Sequence, residues 1–162
     1  MDLNNFNFAP LYTIDKEWAL LTSGYKDKFN TMTVSWGGMG TLWHKPIVTV
    51  YVRPNRYTFE FLEKEEYFTL SFYDAKFKEY LGILGSKSGR DTDKIALTNL
   101  TPEFLDKSVT FKEANLTIVC KKIFTQKLNI EGMSKEIQDS FYKDDPVHHM
   151  FIGEVIDIID KR

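Results

Sequence analysis

Runs of β-branched and aromatic residues, separated by chain breakers, are the feature that most constrains the fold of this chain. Segments 18–22, 31–36, 47–52, 67–72, 115–125 and 150–159 have the composition or the alternation of strands. Strands and helices do not alternate regularly, as they would in a parallel sheet. The sequence therefore predicts a mainly β protein with short helices, built as an antiparallel barrel.

Helix signals lie between these strands. The clearest is an apolar stripe at helical spacing, formed by Phe77, Tyr80, Leu81 and Leu84. We expect Asp74 to cap this helix and Gly85 to end it. Residues 57–65 and 133–141 predict two shorter helices, and residues 101–105 predict one helical turn with proline at its first position.

The composition fits one domain and excludes several classes of function. A length of 162 residues and a mass of 18.9 kDa are the size of a single domain. The formal net charge of −2 gives no global field that would attract nucleic acid or an anionic membrane. Aromatic residues make up 15% of the chain, which suits a β-rich core and equally a pocket for a flat ligand.

The single cysteine and the N-terminal segment indicate the compartment. Cys120 has no partner for an intrachain disulfide and lies in an apolar run, where we expect a buried small side chain. The first residues show no basic region followed by an apolar stretch, and no window approaches about 18 uninterrupted apolar residues. We therefore expect a protein of the cytoplasm.

Two arginines lie between the end of a strand and the start of a helix. Arg53 and Arg56 have no acid between them, and Pro54 stops the strand just before the predicted helix. A helix N-terminus presents free N–H groups, and the arginines and the Thr58 hydroxyl add donors that match phosphate oxygens. The segment predicts an anion site for a phosphomonoester. The alternative is a pair of surface arginines that pair with nearby glutamates.

The loop over residues 85–94 is a second cationic segment. It contains three cations, several hydroxyl groups and two glycines, which are the ingredients of an anion-binding loop. It lacks the residue order of a nucleoside-triphosphate loop. A solvated surface loop is the alternative interpretation.

Segment 30–36 alternates hydroxyl and apolar residues before a glycine cluster. Thr31, Thr33 and Ser35 share one face of the predicted strand. That face is either wet or lines a pocket, where hydroxyl and backbone groups would meet the edge of a heteroaromatic ring. The cluster Gly37–Gly40 predicts a wide turn after the strand.

Metal binding and side-chain catalysis have little support in the sequence. His148 and His149 are adjacent and would point to opposite faces of a strand, so we expect no metal site. The chain has no hydrolase-type triad, no dinucleotide-binding fingerprint and no paired carboxylates in an apolar setting. A bound cofactor is therefore the expected source of any chemistry.

In combination, these segments resemble the flavin reductase-like family, and within it the flavoredoxin-like branch of FMN-binding split β-barrels. The resemblance runs in order from about Tyr25 to Val155. The segments that carry it are 30–36, 45–52, 53–58, 88–94 and 148–155. The chain departs from the family pattern at Trp43 and His44, which are expected to line the acceptor side, and at residues 146–147, where many members have Gly-Asp.

The resemblance implies a cofactor site. Along the strand, FMN contacts are expected at Thr31, Met32, Thr33, Val34, Ser35 and Trp36. The phosphate is expected at Arg53, Arg56, Tyr57 and Thr58, with Ser86, Lys87, Ser88 and Lys94 closing over the phosphate or the ribityl chain. His148 is expected as the catalytic residue beside the flavin ring, the alternative being a strand-edge histidine whose hydrogen bonds are satisfied.

The resemblance also implies an activity and partners. It predicts an oxidoreductase that passes electrons from NADH or NADPH through FMN to a flavin, a ferric complex or a redox protein. One alternative is a flavoredoxin-type FMN-binding electron carrier without a nicotinamide site. Another is a related split barrel that binds haem or pyridoxal phosphate. A homodimer is expected, with the flavin near the interface.

Overall fold

The computed structural model describes residues 6–162. The strands are β1 (Ala19–Tyr25), β2 (Lys28–Val34), β3 (Gly37–Leu42), β4 (Lys45–Val52), β5 (Tyr67–Phe72), β6 (Pro102–Phe104), β7 (Val109–Phe111), β8 (Leu116–Lys127) and β9 (His149–Asp160). The α-helices are α1 (Pro10–Tyr12), α2 (Tyr57–Lys64), α3 (Lys78–Ser86) and α4 (Lys135–Phe141). Short turns of other helix types lie at Thr13–Glu17, Ala75–Phe77 and Ile130–Gly132. No helix in residues 6–162 is long and apolar enough to cross a membrane.

Seven strands form one antiparallel sheet in the order β2-β1-β5-β8-β9-β4-β3. Laid flat at roughly 4.8 Å per strand, this order would place β2 about 29 Å from β3. Only Ser35 and Trp36 join the two strands, and such a link spans at most about 11 Å. The sheet is therefore curled until its outermost strands lie side by side. This is a β-barrel split between β2 and β3, which confirms the predicted fold class.

The inward face of the barrel holds the larger hydrophobic core. Side chains alternate along each strand, so Val48 and Val50 of β4 both point inward and are fully buried. Phe68 of β5 and Phe151 of β9 fill the centre and are also fully buried. At Gly153 the β9 backbone passes against the Phe68 ring, where an added Cβ would lie 2.5 Å from Cζ.

A second apolar cluster lies on the other side of β1, beneath α3. Leu81 and Leu84 of α3 pack with Leu20 of β1 in this cluster. The predicted apolar stripe is thereby confirmed, but both ends of the helix differ from the prediction. Asp74 caps no helix with its side chain and accepts instead from Asn115 Nδ2 at 3.0 Å.

The other end of α3 extends one residue past the glycine that was expected to end it. Gly85 lies inside the helix, and an added Cβ there would be 3.0 Å from Thr33 Cβ. The missing side chain therefore serves the close packing of α3 on β2. The two shorter predicted helices are confirmed as α2 and α4, as are the six predicted strands.

The predicted helical turn at residues 101–105 is wrong. Pro102–Phe104 is strand β6, paired with β7 in a small separate sheet. Proline at the first position suits an edge strand as well as a helix. The pairing with β7, which lies several residues further along the chain, decides between them.

The predicted wide turn at the glycine cluster is also wrong. Gly37–Leu42 is strand β3, paired with β4. At Gly37 an added Cβ would meet Thr49 O at 2.7 Å, so glycine permits a close approach of two strands. The chain turns instead at Trp43 and His44, which have φ values of 53° and 57°.

We predict that Gly153→Ala destabilises the protein by about 1–3 kcal/mol, since overpacking a core forces neighbouring groups to move. The added methyl group would meet Phe68 Cζ at 2.5 Å and Cys120 Cβ at 2.6 Å. Gly40→Ala is the matched control, because an added Cβ there has no atom within 4 Å. Urea unfolding measures both free energies of unfolding. Equal stability of the two variants would contradict this packing.

Candidate functional site

A groove at the split of the barrel consists of two adjoining cavities. The anion cavity has a volume of about 80 Å³ and is lined by residues of β2, the β4–α2 connection, α2 and the end of α3 with its following loop. The strand cavity has a volume of about 240 Å³ and is lined by residues 32–36, Tyr51, Arg53, Arg56 and His148. The two cavities share Met32 and Arg56. Because neither reaches the roughly 300 Å³ usual for a small-molecule site, an occupant would extend through both.

The start of α2 lies at the anion cavity. Tyr57 and Thr58 are its first two residues, so their N–H groups have no carbonyl one turn earlier in the helix. Asn30 Nδ2 donates to Thr58 Oγ1 at 2.7 Å in a buried hydrogen bond. Because Thr58 accepts from Asn30, its own hydroxyl proton is available to an occupant of the cavity.

Cations surround the anion cavity without a facing carboxylate. The charged and hydroxyl-bearing residues of its lining are Arg56, Tyr57, Thr58, Ser86, Lys87, Ser88 and Lys94. Among the described residues that line it, none is Asp or Glu. The cavity therefore favours an anionic group.

Lys94 ties the loop after α3 to the end of that helix. Its side chain is buried, and Nζ donates to Leu84 O at 2.8 Å and to Lys87 O at 3.2 Å. Burial, followed by the nearby Arg56 guanidinium, lowers the pKa of Lys94 to about 8. An anion in the cavity would stabilise the charged ammonium and raise this pKa.

The strand cavity follows the end of β2 and the link to β3. Residues 32–36 line it at consecutive positions. Trp36 is 40% exposed, and its ring centroid lies 5.3 Å from that of Phe141 and 5.1 Å from that of His148. Trp36 and His148, which both line this cavity, therefore belong to one aromatic cluster with Phe141.

His148 is buried beside the strand cavity and contacts the segment that precedes β9. Its Nδ1 and Tyr142 Oη are 2.9 Å apart and share a hydrogen bond. Burial, followed by the Arg53 and Arg56 guanidinium groups, lowers the pKa of His148 to about 4, and Asp145 opposes this shift. The imidazole is neutral at neutral pH. Its folded-state pKa lies below 6.5, so the unfolded chain binds the proton more readily than the folded protein does. The free energy of unfolding therefore falls as the pH is lowered from about 6.5 toward 4.

Arg53 contacts the segment that precedes β9 through an ion pair and a hydrogen bond. Its Nη1 lies 2.8 Å from Asp145 Oδ2, an ion-pair distance without hydrogen-bond geometry, and Nη2 donates to Phe141 O at 3.0 Å. The guanidinium carbon lies 5.6 Å from the centre of the Tyr142 ring. Arg53 lines the strand cavity and is absent from the lining of the anion cavity. It positions the end of α4 next to the strand cavity.

The hydroxyl groups of Thr31 and Thr33 in β2 make hydrogen bonds within the protein. Thr31 is fully buried, accepts from Thr22 Oγ1 at 2.9 Å and donates to Leu21 O at 3.3 Å. Thr33 Oγ1 donates to Leu81 O of α3. Thr31 lines neither cavity of the groove. The other expected site residues all line it, namely Met32, Thr33, Val34, Ser35, Trp36, Arg53, Arg56, Tyr57, Thr58, Ser86, Lys87, Ser88, Lys94 and His148.

The structure does not bring Trp43 and His44 to the groove. They form the β3–β4 turn and line neither of its cavities. Trp43 is 57% exposed, and its ring lies 6.2 Å from that of Phe124 on the outside of the barrel. The aromatic residues of the groove are instead Trp36, Tyr51 and Tyr57.

Several residues that line the groove are not among the site residues expected from the sequence. Asn30, Tyr51, Asn55 and Gly89 line the groove as well. Asparagine is depleted in strands, so its presence at the start of segment 30–36 is the signal that the sequence gives for Asn30. Gly89 is needed because an added Cβ would lie 2.3 Å from Asn30 Oδ1, a contact between distant segments that no local pattern reveals.

Neither metal ligation nor thiol chemistry is favoured by the described residues. Among residues 6–162, no group of three or more His, Cys, Asp or Glu side chains could hold a metal ion. Cys120 is fully buried, as predicted, and burial raises the pKa of its thiol. Such a thiol is unreactive.

The protein is thus a split β-barrel with a cationic groove at its split. The flavoredoxin of Methanosarcina acetivorans has a similar structure, with 22% identity and a TM-score of 0.70 over 99% of this chain and 74% of that protein. The flavoredoxin of Desulfovibrio vulgaris (Miyazaki F) is 21% identical, with a TM-score of 0.69 over 99% and 75%. Nitrilotriacetate monooxygenase component B from Bacillus cereus is 19% identical, with a TM-score of 0.69 over 99% and 80%. These similarities show a shared fold.

The family itself follows from the sequence. The family model of the flavin reductase like domain matches residues 11–161. The chain therefore belongs to the flavin reductase-like family, which confirms the resemblance. No curated protein matches the chain.

We predict that Arg53→Ala raises the pKa of His148 from about 4 toward its ordinary value of 6.5. The substitution removes a nearby positive charge and releases the segment that buries the imidazole. Titration of the His148 Cε1 proton by NMR measures the shift, with the resonance assigned from its loss in His148→Gln. Lys143→Ala, an exposed change in the same segment, is the control and should leave the pKa near 4. An unchanged pKa in Arg53→Ala would show that Arg53 does not influence His148.

Proposed function

We propose that this protein binds FMN in the groove and is an oxidoreductase that takes electrons from NADH or NADPH. Its acceptor would be a second flavin, a ferric complex or a redox protein. One observation carries the proposal: a small cavity with three cations, and no carboxylate among its described lining residues, opens into a larger cavity along a strand. FMN has the matching division, with a phosphate at one end of the ribityl chain and an isoalloxazine ring at the other.

The donors of the anion cavity fit a phosphate monoester. Arg56 offers a planar fork of N–H donors, and Lys94 offers a compact positive charge. The Thr58 hydroxyl and the first N–H groups of α2 add donors at the positive end of the helix dipole. These residues would hold the phosphate, with the loop at Ser86–Ser88 beside it.

The strand cavity fits a flat heterocycle. In the described sheet β2 pairs only with β1, so its other edge has backbone N–H and C=O groups free to bond the heteroatoms of a ring. Trp36 and Tyr51 add flat apolar surface to the same cavity. Bound FMN would supply the exchange of electrons with the nicotinamide and with the acceptor. The protein residues bind and orient it.

His148 is the proposed catalytic residue. It lines the strand cavity as a neutral imidazole, and its hydrogen bond to Tyr142 fixes the ring. A fixed neutral imidazole can hold a hydrogen bond to the bound ring or to a substrate without adding a positive charge. The Arg53 contacts keep its surroundings in place.

A flavoredoxin-type electron carrier is the second candidate function. Two of the similar structures are named flavoredoxins, which favours this alternative.

We also propose a homodimer. The exposed ring pair of Trp43 and Phe124 on the outside of the barrel supports it as apolar surface available to a second copy.

FMN titration of the purified protein tests the cofactor. We predict saturable binding of one FMN per chain, visible as a change in flavin absorbance and fluorescence. Arg56→Ala should weaken binding roughly tenfold or more, because it removes a charge-assisted donor to phosphate. Lys76→Ala, an exposed lysine outside the groove, should bind FMN like the unmodified protein. Absence of FMN binding, or a haem or pyridoxal phosphate spectrum in the purified protein, would contradict the proposal that FMN is the cofactor.

Steady-state oxidation of NADH and NADPH separates the two candidate functions. We predict turnover when free FMN or a ferric complex is supplied as acceptor. An electron carrier would bind FMN and show no turnover with either nicotinamide. That result would overturn the assignment as a reductase and leave the FMN site intact.

A further inference from the structure

Lys94 is buried, and it forms no ion pair with a carboxylate of residues 6–162. Lysine is rarely buried without a paired charge. The residue is 4% exposed, and its Nζ donates to two carbonyls at the end of α3, Leu84 O at 2.8 Å and Lys87 O at 3.2 Å. These two acceptors match the two protons of a neutral amine, whose lone pair is then left without a partner.

The surroundings of Lys94 favour a neutral amine and would also favour an anion attached to it. Burial, followed by the Arg56 guanidinium, lowers the pKa of Lys94 to about 8, so an appreciable fraction of the amine is uncharged near neutral pH. Arg56 and Lys87 line the same anion cavity, and its described lining contains no acid. A negative group carried by Nζ would therefore be attracted by these cations.

Lys122 has the same hydrogen bonding in the opposite electrostatic setting. Its Nζ donates to Leu62 O and, at 3.0 Å, to Glu63 O, two carbonyls near the end of α2. Burial lowers the pKa of Lys122 as well, but Glu63, Glu65 and Glu66 oppose this shift. A negative group on Lys122 would face these carboxylates. The two lysines thus differ in the charges around them and share their bonds to carbonyl groups.

A small neutral molecule can reach Lys94 from two sides. The residue lines the anion cavity and also a larger open groove of about 780 Å³, which we name the outer groove. The other charged residues of the outer groove are Asp27, Glu60, Glu65 and Asp93 and the lysines Lys28 and Lys64. Because these acids outnumber these lysines, a negative group on Lys94 would be more stable in the anion cavity.

From these observations we infer that Lys94 is a carbamate site, at which carbon dioxide adds to the amine and the new carboxylate occupies the anion cavity. The nitrogen lone pair forms a bond to the carbon of carbon dioxide, one C=O bond becomes a C–O⁻ bond, and the nitrogen releases one proton to water. No oxidant or reductant is needed. The nitrogen keeps one N–H, which can retain the bond to Leu84 O.

The carbamate changes what the anion cavity can bind. It replaces the positive charge of Lys94 with a negative one and fills part of a cavity of about 80 Å³. Phosphate groups and carbon dioxide would therefore compete for this cavity. Competition with FMN rests on the proposed function, whereas formation of the carbamate does not.

Trapping of the carbamate, followed by mass spectrometry, tests the inference. The purified protein, freed of flavin, is equilibrated with isotopically labelled bicarbonate and carbon dioxide near the pKa of Lys94, at a pH of about 8. Triethyloxonium ion then converts carbamates into stable ethyl esters, which peptide mapping assigns to residues. We expect Lys94 to carry at least about fivefold more label than Lys122, the matched control within the same molecule.

Competition tests the position of the carboxylate. Saturating inorganic phosphate should lower the label at Lys94 by roughly threefold or more, and sodium chloride of equal ionic strength should not. FMN should lower it too if its phosphate occupies this cavity. Lys94→Arg keeps a positive charge and cannot form a carbamate. Carbon dioxide should therefore weaken FMN binding by the unmodified protein and leave FMN binding by this variant unchanged, with circular dichroism to establish that the variant is folded.

The labelling comparison needs no variant, so the inference stays testable if Lys94→Arg does not fold. Absence of label at Lys94, equal label at Lys94 and Lys122, or label that phosphate does not suppress overturns the inference. Equal weakening of FMN binding in the unmodified protein and in Lys94→Arg also overturns it, because bicarbonate would then act without reaction. Label that phosphate suppresses and FMN does not would instead overturn the placement of FMN in the proposed function and leave the carbamate intact.

Discussion

The two-residue link between β2 and β3 is the constraint on which the rest of the structure depends. It joins strands that lie at opposite ends of the sheet order, so the sheet has to close on itself. The closure is incomplete, because β2 pairs only with β1 and β3 only with β4 in the described sheet. The free edge of β2 becomes one side of the groove, and α2 and the loop after α3 occupy its end. A sheet closed completely by hydrogen bonds would have no free backbone groups at this position.

The local part of the fold could be predicted from the sequence, and the pairing could not. Alternation and β-branched residues located the strands, and the stripe from Phe77 to Leu84 located α3, because both patterns report which face is buried. The predictions at Pro102 and at the cluster Gly37–Gly40 are wrong for one reason. Their structure is set by partners elsewhere in the chain, β7 in one case and β4 in the other. Local chemistry alone cannot reveal such partners.

The site residues, too, include some that local sequence predicts and some that only the folded chain brings together. Arg56 and Thr58 were predictable because a strand end, a proline and a helix start are adjacent in sequence, and the family resemblance added Tyr57. The loop after α3 has the composition of an anion-binding loop, and the family resemblance assigned it to the same site, although it is distant in sequence. The family resemblance assigned Thr31 to the site together with the rest of its strand, yet its hydroxyl bonds Thr22 inside the protein. Asn30 and Gly89 meet only in the folded state, so their contact was not visible in either segment alone.

The position of β9 within the sheet has a consequence for biosynthesis. This strand pairs with β4, whose residues precede it by roughly 100 positions, and it separates β4 from β8. During translation, a nascent chain that has emerged only as far as β8 has no strand to bridge the two halves of the barrel. Its β4 and β8 edges remain unpaired and open to other chains. His148 directly precedes β9, so it joins the groove only when this strand forms, whereas the other described residues that line the groove lie between Asn30 and Lys94 and are synthesised earlier.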